Sequence, residues 1–179
     1  MVEHGIEDYA RAKRKAAERL GVTTAAALPS NAEIHERLIE RQRLFAPDDH
    51  DSRLAILRQL AATVMAQLAE FRPRLVGGVL DGSATINTAV ELHVFSDSPE
   101  MVAERLQGFG NRLRDTQRRY RLGRDDMTEI PGFGLVLDGD EVEVMVFPER
   151  GSQHAPLSRV DGRPMRRASR DAVLALLDA

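Results

Sequence analysis

Glu91 and His93 alternate on the run Val90-Glu91-Leu92-His93-Val94-Phe95. Side chains two apart on a strand share a face, so these two can converge on one ligand while Val90, Leu92 and Val94 enter a core. Upstream lies Val76-Gly77-Gly78-Val79-Leu80-Asp81-Gly82-Ser83-Ala84, a glycine-rich bend of a size that suits a phosphate. Glycines let backbone N–H groups approach phosphate oxygens closely. A phosphate-sized bend beside paired polar groups is the layout expected of phosphoryl or nucleotidyl transfer. Of the two polar groups, Glu91 offers the hard oxygen that Mg²⁺ takes, and His93 a nitrogen better matched to Zn²⁺ or Mn²⁺.

The elements that must hold these residues follow from hydrophobic spacing. A first helix is predicted from Glu7 to Leu20, stopping at Gly21. Ser30 and Glu33 stand at capping-box spacing ahead of a second helix with Ile34, Leu38 and Leu44, which ends before Pro47. A third helix starts near Asp51-Ser52 and carries Leu54, Ile56, Leu57, Leu60, Val64, Met65 and Leu68, a wide stripe able to cover a sheet. Strands follow at Arg74-Leu75-Val76-Gly77 and Val90 to Phe95. Ser98 and Pro99 open a further helix through Met101, Val102, Leu106, Phe109 and Leu113. After a polar connection from Tyr120 to Arg124, the strands Gly134 to Leu137 and Glu141 to Phe147 flank Asp138-Gly139-Asp140, a hairpin signal. A second hairpin, Leu157 to Val160 and Arg163 to Arg166 about Asp161-Gly162, leads to a closing helix from Ser169. This order predicts an α/β or α+β fold, a mixed sheet flanked by helices with an N-terminal helical extension.

Composition bounds what such a chain can do. Its 179 residues suffice for one good core. There is no cysteine, which excludes thiolate metal sites, disulfides and cysteine nucleophiles and fits a reducing cytoplasm. No signal peptide is visible in Met1 to Ala10, and no apolar run approaches the ~20 residues that span a bilayer. The formal net charge of −3 argues against bulk attraction to nucleic acid, although local basic patches survive that argument. A P-loop signature and a Gly-x-Ser-x-Gly elbow are both absent.

With Gly77-Gly78 ahead of Glu91-Leu92-His93-Val94, the region from Ala61 to Phe147 resembles the nucleotidyltransferases of the DNA polymerase β superfamily. That pattern is a strand, a Gly-Gly or Gly-Ser pair, and an apolar-flanked pair of acidic residues on the next strand. The resemblance implies phosphate-cradling roles for Gly77, Gly78, Gly82 and Ser83. It implies metal and catalytic roles for Glu91, His93 and a third, later carboxylate, best matched by Glu143 with Glu141 in reserve. Two Mg²⁺ ions, or Mn²⁺, would serve an in-line displacement in which an NTP gives its NMP to a hydroxyl acceptor. His93 departs from the family's acidic type. The domain would then occupy residues 51–150, after a helical extension at 1–50 and before a hairpin and helix at 151–179 packed on the same domain.

Other readings use the same residues. A degenerate member would bind a nucleotide or a protein partner without catalysis. The long N-terminal helices would suit a homo-oligomer. Polar alternation at Glu91 and His93, and at Glu141 and Glu143, is also what the solvated face of an antiparallel strand shows. His4, His35, His50 and His154 lack metal-ligand spacing and read as surface residues. The basic run Arg112, Arg114, Arg118, Arg119, Arg121 and Arg124 reads as the solvated face of the helix that starts at Pro99, or as a phosphate-binding stretch. Arg163, Arg166 and Arg167 form a second small cluster with the same two readings.

Overall fold

A computed structural model describes residues 9–21, 28–45, 47–110, 112–123 and 126–178. The helices are α1 (Tyr9–Leu20), α2 (Asn31–Phe45), α3 (Pro47–Gln67), α4 (Gly77–Asp81), α5 (Pro99–Gln107) and α6 (Arg170–Ala175). The strands are β1 (Arg74–Val76), β2 (Val90–Phe95), β3 (Arg114–Arg121), β4 (Met127–Leu137) and β5 (Asp140–Phe147). They form one five-stranded sheet in the order β1-β2-β5-β4-β3. Only β2 and β5 run parallel; the other neighbours are antiparallel. The fold is therefore α+β with a mixed sheet, as the element order predicted.

Strand alternation divides the sheet into two differently built faces. Val90, Leu92 and Val94 of β2 and Val142, Val144 and Val146 of β5 are buried in the main core. Against them lie Leu57, Leu60, Val64 and Leu68 of α3, Val102 and Leu106 of α5, and Val173 of α6. The stripe read on α3 is this face, except that Ile56 points to solvent. Arg53 of α3 also holds the β4–β5 hairpin through a forked pair with Asp140. That hairpin turns at Asp138-Gly139, where both residues have positive φ (53° and 89°), the backbone of the two-residue turn that matches strand twist. The opposite face holds a smaller cluster of Phe95, Tyr120, Ile130, Met145 and Phe147, with Met165 of the tail packed on it.

Several boundaries differ from the sequence reading. The third helix begins at Pro47, where a proline suits the first turn. The second does open with the reciprocal capping box: Glu33 N–H donates to Ser30 Oγ at 3.1 Å, and Ser30 N–H to Glu33 Oε2 at 2.7 Å. Gly77 and Gly78 are the first turn of the short helix α4, not a loop. The helix from Pro99 stops at Gln107, leaving Phe109 and Leu113 beyond it, though both still pack on the core.

The largest correction concerns the basic run. Residues 114–121 form β3 at the edge of the sheet, not a helical face. An edge strand with arginine on both faces gives no apolar alternation for a sequence reading to find. Arg124 lies outside the described residues. In the tail, the second hairpin reduces to one bridge, Leu157 to Pro164, and Ala168 bridges back to Leu75 of β1.

Candidate functional site

The second face of the sheet carries every residue singled out for chemistry on β2 and β5. Glu91 stands directly opposite Glu143 in the parallel β2–β5 register. Two carboxylates so placed repel unless a cation joins them. Arg118 of β3 is that cation: its Nη1 lies 3.0 Å from Glu91 Oε2, and its Nη2 pairs with Glu143 Oε2. Burial works to lower the Arg118 pKa, but Glu91, Tyr120 and Glu143 outweigh it and leave the guanidinium more firmly charged than usual.

To reach β5, an arginine of β3 must cross β4. On this face β4 presents Gly132 and Gly134, placed opposite Met145 and Glu143, so no side chain stands in the way. Arg114 lies over Gly134, with Nη2 3.0 Å from where a Cβ would sit, and pairs with Glu141. Gly132 meets a harder limit: a Cβ there would fall 2.6 Å from the Val144 carbonyl oxygen and 2.7 Å from Met145 Sδ. Gly134 lets Arg114 lie across β4, and Arg114 and Arg118 together form a charge ladder with Glu141, Glu143 and Glu91.

The glycine bend adjoins this ladder. Gly77 has φ +70°, and a Cβ on it would lie 3.4 Å from Glu91 Oε2, so the backbone passes close to the carboxylate where a side chain would be strained. Gly78 touches Ser83: its Cβ position is 3.1 Å from Ser83 Oγ, and its carbonyl accepts from Gly82 and Ala84 N–H at 3.0 and 3.1 Å. Asp81 Oδ1 accepts from Ser83 N–H at 2.9 Å. Two histidines of the N-terminal helices fasten the same bend. His35 Nε2 lies 3.3 Å from Asp81 Oδ2, and His50 Nε2 donates to the Gly82 carbonyl at 3.0 Å. Neither was expected to contact the site. His154 contributes only its carbonyl, to Arg167.

His93 shares the face of Glu91 but belongs to the aromatic cluster. It is fully buried, edge-on to Tyr120 and 4.5 Å from the Phe147 ring. Arg167 Nε donates to its Nδ1 at 3.2 Å, and Tyr120 Oη lies 3.3 Å from its Nε2. An arginine cannot accept a proton here, so Nδ1 is the acceptor nitrogen and Nε2–H donates to the tyrosine. Burial first, then the charges of Arg167 and Arg118, hold the imidazole well below its ordinary pKa. Arg167 itself is lowered to about 10, chiefly by burial, and its guanidinium stacks over Phe95 and Phe147 at 5.0 Å from each ring.

The donor set therefore does not fit the divalent ion that the sequence pattern implies. Both nitrogens of His93 are committed to protein partners, and the carboxylates of Glu91 and Glu143 share an internal guanidinium. Among the described residues, no group of three His, Asp or Glu side chains is arranged to hold a metal. The structure brings Glu91, Glu143 and Gly77 together, joins Gly78 to Ser83 in the adjoining bend, and seals His93 in the neighbouring aromatic cluster, bonded to Arg167 and Tyr120. Sequence reading held Arg118 and Arg167 only as members of basic clusters and did not single out Tyr120; the even spacing of Arg114, Arg118 and Tyr120 was the signal that they share a face. Among the described residues no helix is long and apolar enough to cross a membrane. No protein-family model, curated protein or solved structure matches the chain.

Proposed function

We propose that this chain is a nucleotidyltransferase-like domain in which Arg118 takes the place of the divalent ion, making it a non-catalytic module that binds a nucleotide or a protein partner. The observation that carries the reading is the guanidinium shared between Glu91 and Glu143. A guanidinium neutralises the carboxylate pair but offers no Lewis acidity and no open coordination position. A cytoplasmic setting belongs to the same reading and rests on the absence of cysteine. The test is calorimetric titration of ATP, GTP, CTP and UTP into the full chain with Mg²⁺, with Mn²⁺ and with EDTA. The module reading expects no heat that depends on the metal at millimolar nucleotide; metal-dependent binding overturns it.

A metal-dependent transferase is the second reading, favoured by one observation. Gly77 runs against the Glu91 carboxylate, so the glycine pair and the acidic residue of the sequence pattern adjoin in the fold. In that case Arg118 would have to leave Glu91 and Glu143 when substrate arrives. Arg118→Ala separates the two readings: a transferase loses a phosphate-binding group and weakens, whereas a plugged module gains a metal site it did not have.

A further inference from the structure

Some arginines of this fold are held by carboxylates and others are not. Arg53, Arg105, Arg114 and Arg118 each pair with a carboxylate. Arg119, Arg121, Arg159 and Arg163 are exposed and make no ion pair among the described residues. These four are gathered at one corner, where the 157–164 turn docks on the end of β3. Leu157 N–H donates to the Arg121 carbonyl at 2.7 Å, and Arg159 Nη2 to the Arg119 carbonyl at 3.2 Å. Arg121 Nη2 reaches within 3.4 Å of the Cβ position of Gly162, whose neighbour is Arg163. Three carboxylates lie close: Glu129, opposite Arg119 on β4; Asp126, whose backbone carbonyl accepts from Leu122 N–H just past Arg121; and Asp161, whose Oδ1 accepts from Arg163 N–H. The corner keeps an excess of positive charge in a chain of net charge −3.

We propose that this corner binds the phosphodiester backbone of single-stranded nucleic acid. Arg119 and Arg121 project from the same face of an edge strand, at a repeat comparable with that of successive phosphates in an extended strand. Guanidinium groups engage phosphate oxygens in a bidentate fork, and the four here are not already spent on carboxylates. Both described aromatic residues nearest the corner are unavailable for stacking: Tyr120 is buried on the opposite face, and Phe133 packs on the core. Recognition is therefore of the backbone rather than the bases and does not depend on sequence. The overall negative charge does not oppose it, because exposed charges beyond about 10 Å are screened at ordinary ionic strength. The inference is independent of the Glu91–Glu143 pair, since Arg119 and Arg121 point away from the face that carries Arg118.

The test is fluorescence anisotropy of labelled oligo(U) and oligo(dT) with the full chain. If about three to four phosphates are neutralised, log K falls against log salt with a slope of roughly −2 to −3, an affinity loss of about 30-fold between 50 and 200 mM salt. Replacing all four arginines by serine should cost at least tenfold at low salt. The pair Arg159→Ser and Arg163→Ser, outside the sheet, should cost severalfold and serves if the fourfold change disturbs β3. Met127→Ser, beside the corner but uncharged, should change nothing. No binding by the wild type at 50 mM salt overturns the proposal, as does binding that survives both arginine variants. Displacement by polyglutamate as effective as by unlabelled oligo(U) would also overturn it and point to an acidic protein. Tighter binding of oligo(U) than oligo(dT) would assign the backbone to RNA; equal binding leaves either nucleic acid as the ligand and supports the proposal.

Discussion

Glu91 and Glu143 face each other across the parallel β2–β5 pair, and their carboxylates are joined by a guanidinium that comes from two strands away. That relationship governs the stability of the second sheet face. Arg118→Ala would leave two partly buried carboxylates opposite each other with no cation. Removing one partner of a buried ion pair costs about 3–5 kcal/mol, and partial exposure of all three groups places this case nearer 2. Without Arg118 the two carboxylates repel each other across the strand pair. Urea unfolding at pH 7.5 checks the cost; an Arg118→Ala loss under 0.5 kcal/mol would mean the bridge is not formed in solution.

Gly132 and Gly134 should respond very differently to alanine. At Gly132 the new methyl group meets the backbone carbonyl of Val144 at 2.6 Å, and β4 cannot retreat without breaking its ladder to β5. The expected cost is roughly 1–3 kcal/mol or more. At Gly134 it meets only the end of the Arg114 side chain, which can move, so the loss should stay below about 1 kcal/mol, mostly the exposed Arg114–Glu141 pair. Thermal denaturation of the two variants side by side decides it, and equal losses would contradict the geometry.

His35 and Asp81 give the glycine bend a pH-dependent fastening. The hydrogen bond to Asp81 holds the His35 imidazole above its ordinary 6.5, against the opposing effect of burial. Burial works to raise Asp81, but hydrogen bonds from His35 and Ser83 outweigh it and leave the carboxyl below 3.8. Stability from the raised histidine is fully present below 6.5 and is lost as pH rises through its folded value; stability from the lowered carboxyl is lost as pH falls through its own. The difference in melting temperature between wild type and His35→Gln should therefore be largest near pH 5 to 6 and shrink by pH 8.5. A difference that grows with pH would exclude the charged pair.

His93 acts with the opposite sign. Held well below 6.5 when folded, it takes up a proton only on unfolding, so its contribution is present above 6.5 and declines as pH falls below it. The slope approaches ~1.4 kcal/mol per pH unit for one such group. Measuring unfolding free energy from pH 7.5 to 5.5 in the His35→Gln background removes the competing histidine. Stability that rises on acidification there would show that His93 is protonated in the fold.

How much of this was legible beforehand depended on which side of the sheet a residue faces. The main core announced itself through Val90, Leu92 and Val94, the valines of β5 and the stripe on α3, because water exclusion imposes the period. The Asp138-Gly139 hairpin was legible from its turn chemistry. The second face was not. Alternation marked Glu91 and His93 as an outward pair, but the tail covers one end of that face and not the other, so His93 is sealed among aromatic rings while Glu91 keeps a polar neighbour. Arg118 gave no sign of its partners because its contacts depend on strand order, which places β4 and its two glycines between β3 and β5.

Manganese titration followed by NMR tests the replacement of metal by Arg118 most directly. Bound Mn²⁺ bleaches the amide signals of residues close to it. With Arg118 holding Glu91 and Glu143, the signals of residues 90–93 and 142–145 should persist at millimolar Mn²⁺ in the wild type. They should bleach in Arg118→Ala, whose freed carboxylates can take the ion. Selective bleaching of those signals in the wild type at micromolar Mn²⁺ would contradict the account and return the site to metal-dependent chemistry.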